Sequence, residues 1–246
     1  MDIAELVLQA VQNNSKWCDA IGRAHDAPGE FHDAYWINRG KVPPYTSKLI
    51  TLAGAEHAET QLAAIRSLIS AEPEAHFSVK DAFQSLDLAP LGFAVLFEAM
   101  WICGAPASPV PVDPGEQLKW SVVRDSDELA EWELAWRGSP ANLAVDGMPR
   151  VFPPSLLEEP GLHFLAGKRG ATTVASGALN RTFDVVGLSN VFSGMTGLGP
   201  LFPGCVRLAR DLYPGIALVG YERGEGLLAA EKAGFAAVRA LTVWKR

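Results

Sequence analysis

The sequence predicts an α/β (α+β) fold, a mixed central sheet flanked by helices, and three observations carry that prediction. The first is the closing stretch Ile216–Arg246, which runs strand, helix, strand, with Gly234-Phe235 marking the entry into the last strand. The second is a companion stretch, His76–Cys103, with a similar outline: a short apolar strand, an acidic residue, a helix-like segment, then Gly92-Phe93-Ala94 and an apolar strand bearing Trp101. The third is the order of the second half, where hairpin strands precede a glycine-rich loop and a strand–helix–strand unit follows it. That order suits neither an eight-fold barrel nor a doubly wound sheet. The two matching stretches predict a two-fold internal repeat, with a shortened half at residues 1–112 and a complete one at 113–246.

Taken in order, Ile3, Leu6, Val7, Ala10 and Val11 recur at helical spacing and predict a helix over residues 2–24. Pro28 and Gly29 break it. Residues 34–38 and 49–53 read as short strands around the Pro43-Pro44 turn. Ala58, Leu62, Ile65, Leu68 and Ile69 share one face of a helix over 56–69. Strands follow at 76–79 and 94–102, and the proline-rich run 104–117 reads as a linker. Beyond it come a strand at 118–123 and a helix at 125–136, capped by Asp125, Ser126 or Asp127, with Leu129, Trp132 and Trp136 on its apolar side. Residues 161–167 and 172–179 form a hairpin through Lys168-Arg169-Gly170. A strand at 184–192, a glycine- and proline-rich loop at 194–204, a helix at 205–212, a strand at 216–221, a helix at 225–232 and a strand at 236–244 complete the chain.

Composition narrows the function. The 246 residues are 48% hydrophobic and 20% charged, which suits a packed core. A net charge of −7 argues against a nucleic-acid partner, which normally needs a basic face, and leaves room for a local groove that binds a phosphorylated cofactor. The most apolar run, Leu86–Ala107, is broken by Asp87, Pro90, Glu98 and Gly104, so no membrane span is expected. The first residues carry two acids and no basic segment, so no secretory signal is expected either. Cys18, Cys103 and Cys205 lie far apart with no metal spacing, as in a reduced, cytoplasmic protein.

After the strand Val185–Phe192 comes Gly194-Met195-Thr196-Gly197-Leu198-Gly199, and the chain closes on Ala-Glu-Lys-Ala-Gly234-Phe235. Glycines there would let helix-start amides approach phosphate oxygens with no Cβ in the way. These residues, and the strand order around them, resemble the GNAT superfamily of acyl-CoA-dependent N-acyltransferases over roughly residues 117–246. The resemblance implies acetyl-CoA or another acyl-CoA as co-substrate and no metal. It implies a small-molecule or peptide amine as acceptor and direct transfer in a ternary complex. By the same resemblance, the backbone of Ser189, Asn190, Val191 and Phe192 would hold the pantetheine arm, and Gly194, Gly197 and Gly199 the pyrophosphate. The chain departs from the family pattern at two points. Gly194 stands where an arginine or glutamine is usual, and Ala230 stands where the tyrosine acid is usual, four residues before Gly-Phe. Tyr221 is then the nearest acid, and Glu222 beside it the base. The alternative, from a different class, is a non-catalytic GNAT-like protein that binds a ligand or partner.

The stretch His25–Gly40 gathers His25, Asp26, Glu30, His32, Asp33 and Arg39 at no metal-binding spacing; it is a solvated loop or one that faces substrate. There is no Gly-x-Ser-x-Gly elbow, no early Gly-x-Gly-x-x-Gly and no Gly-Lys-Ser/Thr, which disfavours a serine hydrolase, a Rossmann dehydrogenase and a P-loop enzyme.

Overall fold

The computed structural model describes residues 2–41, 43–105, 118–138, 150–194 and 201–246. Helix α1 (Ile3–Ala24) opens the chain, with the Asp2 carboxylate accepting from the Glu5 amide at 2.8 Å as its cap. Short strands β1 (Glu30–Phe31), β2 (Tyr35–Ile37) and β3 (Leu49–Thr51) follow, then α2 (Ala58–Ala71), β4 (Ser78–Asp81) and β5 (Ala94–Gly104). Next come β6 (Lys119–Val122), α3 (Ser126–Arg137), β7 (Leu162–Arg169), β8 (Thr172–Thr182) and β9 (Val185–Ser193). Helix α4 (Phe202–Leu212), β10 (Ala217–Glu222), α5 (Gly224–Lys232) and β11 (Phe235–Lys245) close it. Asp125 caps α3, accepting from the amides of Asp127 and Glu128.

These strands form one sheet in the order β1-β2-β3-β4-β11-β5-β10-β9-β8-β7-β6. Strand β5, from the first half, lies between β10 and β11 of the second. Strand β11 in turn lies between β4 and β5. The second half, read as complete in the sequence, therefore takes a central strand from the first. Only β3–β4 and β9–β10 pair in parallel among the described strands, and they stand symmetrically about the central β5–β11 pair.

The connection between β4 and β5 differs from the helix-like segment expected there. It is a loop with one 3-10 turn, Ala89–Leu91. Asp81 is the reason: its carboxylate accepts from the amides of Phe83 (3.3 Å) and Leu86 (2.8 Å) and from Ser85 Oγ (3.3 Å), which favours a turn over a helix. Burial pushes the Asp81 carboxyl up, and those hydrogen bonds oppose the shift. The Gly-Phe pairs also have a structural reason. Gly92 and Gly234 both sit at left-handed φ, +83° and +91°, where a chain leaving a turn or helix reverses into a strand. Phe93 and Phe235 then plug the core on either side of the sheet's centre.

Strand alternation builds two layers. On one face, α1 lays Val7, Ala10 and Val11 against Trp101, Cys103, Val219, Leu241 and Val243. An aromatic cluster continues it, Trp132 and Trp136 of α3 packing with Phe152 and Phe164. On the other face, α4 and α5 lay Phe202, Val206 and Ala230 against Ile102, Leu179, Leu188 and Leu218, while α2 covers Leu49 and Val79.

Candidate active-site cleft

The β9–β10 ladder is short for its strands. It runs from Val185↔Ala217 to Gly187↔Val219 and stops, although the strands continue to Ser193 and Glu222. A bulge in β9 drives them apart. Ser189 pairs with Ala178 and Phe192 with Ser176, so β9 carries one residue more than β8 across this step. Asn190 takes a left-handed φ of +53°, and its carbonyl accepts from Ser176 Oγ at 2.9 Å. Gly220 sits at the crotch, where an added Cβ would lie 2.5 Å from the Leu188 carbonyl oxygen. Beyond it β9 follows β8 away from β10 and a cleft opens.

The cleft holds a cavity of about 270 Å³. Ser189, Asn190, Val191, Phe192, Tyr221 and Glu222, all singled out in the sequence, line it. Gly194 does not, and its amide is committed to the Val174 carbonyl at 2.8 Å, so that N–H is not free for a phosphate. Gly197 and Gly199 lie outside the described residues, as does most of the 104–117 linker. Helix α4 starts at Phe202, earlier than expected, and Pro203 removes one amide from its first turn. Ala230 is fully buried among the α4 and α5 side chains. The stretch His25–Gly40 lines no part of the cavity; His25 Nε2 is 3.0 Å from the Val151 carbonyl, and Glu30 pairs with His32 and Arg39. No group of three potential metal ligands is present among the described residues.

Sequence reading missed the residues that the first half sends to this cleft. Helix α1 supplies Asn13, Asn14, Trp17 and Cys18, β4 supplies Lys80 and β5 supplies Trp101. Asn13 Nδ2 donates to the Asn180 carbonyl (2.7 Å) and to Thr182 Oγ1 (2.8 Å), while Asn180 Nδ2 donates to the Asn13 carbonyl (3.0 Å). This clamp fixes α1 over the mouth of the β9–β10 fork. Lys80 Nζ donates to Asn14 Oδ1 at 2.6 Å and to the Tyr221 hydroxyl at 3.2 Å, and lies 4.3 Å from the Tyr221 ring centre. Trp101 stands edge-on to that ring and is held by its Nε1 donating to the Ala82 carbonyl at 2.8 Å. Two sequence signals existed: an Asn-Asn pair on the buried stripe of α1, and a lysine inside an otherwise buried strand.

Tyr221 and Glu222 are successive strand residues and face opposite sides of the sheet. The Tyr221 ring meets Trp101 and Lys80 on the α1 side. The Glu222 carboxylate packs under α5, where a Cβ on Gly226 would overlap it. Loss of water pushes the Glu222 carboxyl up from 4.5 to about 7, against the opposing pull of the Arg223 amide and charge. Burial likewise pushes the Cys18 thiol up, opposed by the charge of Lys80, and holds Cys103 at about 11. Neither thiol is poised as a nucleophile.

No family model matches the chain, and no curated protein matches it. Solved structures do. A GCN5-related N-acetyltransferase from Kribbella flavida superposes with a TM-score of 0.62 at 12% identity, covering 96% of this chain and 94% of its own. The fold is that of the GNAT acetyltransferases. A GCN5-related N-acetyltransferase from Sphaerobacter thermophilus gives a TM-score of 0.54 at 9% identity, over 88% of this chain and 81% of that one. A functionally unknown conserved protein from Staphylococcus epidermidis gives 0.60 at 9% identity, over 90% and 94%. The coverage runs through both halves, so the GNAT likeness extends well beyond residues 117–246.

Proposed function

We propose that the chain is an acyl-CoA-dependent N-acyltransferase, transferring an acetyl or other acyl group to a small-molecule or peptide amine by direct attack in a ternary complex. The observation that carries this reading is the fork between β9 and β10. The β9 backbone past Gly187 has no β10 partner on that side, which suits an extended arm bearing amides of its own. The cavity at the fork brings the arm's end to Tyr221 and Glu222.

On this reading we assign Tyr221 and Glu222 the reverse of the roles expected from sequence. Helix α4, which follows the glycine-rich run, and α5 pack on the Glu222 face, so we assign that face to the acyl donor and the α1 face to the amine. Glu222, its carboxyl pushed up to about 7, is protonated in a large share of molecules at neutral pH and gives that proton to the departing sulfur. The Tyr221 hydroxyl accepts from Lys80, which leaves it one lone pair and its own proton. It relays the proton shed by the attacking nitrogen towards water. The amine adds to the thioester carbonyl, and the tetrahedral intermediate collapses with loss of the sulfur that Glu222 protonates.

Titration calorimetry with acetyl-CoA tests the proposal. Binding is expected, together with thermal stabilisation that grows with ligand concentration. No heat and no stabilisation at millimolar acetyl-CoA would sink it. A second reading, a ligand-binding protein without catalysis, draws on the buried Ala230 and the committed Gly194 amide. It predicts no thiol release from acetyl-CoA with any amine.

We also propose that the two halves descend from one duplicated unit. The symmetric parallel pairs and the two left-handed Gly-Phe corners support this. A cytoplasmic location is proposed from the cysteines, three buried residues far apart in sequence.

A further inference from the structure

Lys80 is 4% exposed, and its ammonium sits in the wall of the cleft with only neutral partners, Asn14 Oδ1 and the Tyr221 hydroxyl and ring. An ammonium carries three N–H donors, and these partners take two. Three other buried charges in the chain have counter-charges. Lys48 meets Glu72 at 2.8 Å, Asp19 meets Arg23 at 2.6 Å and Glu133 meets Arg137 at 2.6 Å. Among the described residues no carboxylate lies within ion-pair distance of Lys80 Nζ. Burying a cation without a counter-charge is costly, and an anionic ligand at Lys80 would offset that cost.

The surroundings define that ligand. Trp17, Trp101, Trp136 and Tyr45 form flat apolar walls, and Asn13 and Asn14 add amide groups. Lys80 Nζ lies 3.2 Å from the Tyr221 hydroxyl, so an anion on Lys80 would sit a few bonds from an amine at Tyr221. A cavity of about 270 Å³ is small for a ligand site. Resting on the acyl-transfer reading above, we infer that the acceptor carries a carboxylate near its amine, as a free amino acid does, and that Lys80 binds that carboxylate.

The test is a fluorescence titration of the full chain, using the cleft tryptophans as reporters. The probes are free amino acids and their carboxamides, measured with and without acetyl-CoA. At least one acid is expected to bind about tenfold or more tightly than its amide, a charge-pair effect. In Lys80→Met that preference falls to within about threefold, because the counter-charge is gone. Equal affinity for every acid and its amide in the wild type overturns the inference, with no variant needed. A Lys80→Met variant that weakens acid and amide alike also overturns it and leaves Lys80 as a partner of Tyr221 alone. Selective acid binding with no response to acetyl-CoA would instead retire the acyl-transfer reading while the anion site stands.

Discussion

Replacing Glu222 by glutamine is expected to lower turnover by about 10²- to 10⁴-fold, the usual worth of a positioned proton donor. The amide keeps the shape of the side chain under α5 but cannot release a proton at neutral pH. The pH dependence separates the roles. With Glu222 as the acid, the ratio of wild-type to variant rate falls as pH rises through about 7, where the carboxyl loses its proton. A ratio that rises through the same range would return Glu222 to the base role read from sequence, and a flat one would remove it from catalysis. Stability supplies a readout independent of substrate. The folded carboxyl titrates near 7 and the unfolded one near 4.5, so the folded state binds the proton more tightly. That contribution is complete below pH 4.5 and is lost as pH rises towards 7. Glu222→Gln should therefore flatten the decline in urea-unfolding free energy across this window; an unchanged slope would show that the carboxyl is not held up by burial.

Gly187→Val is expected to destabilise the fold by about 3 kcal/mol, the upper part of the range for overpacking a filled core site. An added Cβ would overlap Asn13 Oδ1 and press on Asn180 Oδ1 at 2.5 Å. The two asparagines are the clamp between α1 and β8, so neither can retreat without leaving buried amide groups unpaired. Because α1 also supplies Asn14 to Lys80, the same substitution should weaken ligand binding in whatever fraction remains folded. Urea midpoints and the fluorescence titration report the two effects separately. A midpoint within experimental error of wild type would mean that α1 does not sit tightly on β9.

Local signals in the sequence were reliable where local physics decides. The buried Val7, Ala10 and Val11 of α1, the buried Leu129, Trp132 and Trp136 of α3 and the hairpin of β7 with β8 depend on near neighbours, and the structure has each. Lys168 and Arg169, however, pair with Thr173 and Thr172, and the turn itself falls at Gly170-Ala171. The Gly-Phe corners were visible too, because a left-handed residue followed by a core plug needs those two types at adjacent positions. The residues of the fork, Ser189 to Phe192 with Tyr221 and Glu222, were found through resemblance and do share one cavity. The bulge at Asn190 was not visible, since any polar residue can occupy the extra position and the partner strand decides where it falls.

By itself, then, the sequence determined most of the element types and the two Gly-Phe corners, while the β4–β5 connection and much of the cleft lining were not legible in it. Only the tertiary structure decided that β5 completes the second half's sheet, and that α1 and β4 complete its site. Lys80 reaches Tyr221 across 141 residues of chain, and Asn13 reaches Asn180 across 167. The physical reason is range: helical and strand periodicities are set by near neighbours, whereas strand order and cleft chemistry arise from pairings between segments that share no local pattern. Tyr221 and Glu222, adjacent in sequence, likewise face different layers, Trp101 and Lys80 on one side and α5 on the other.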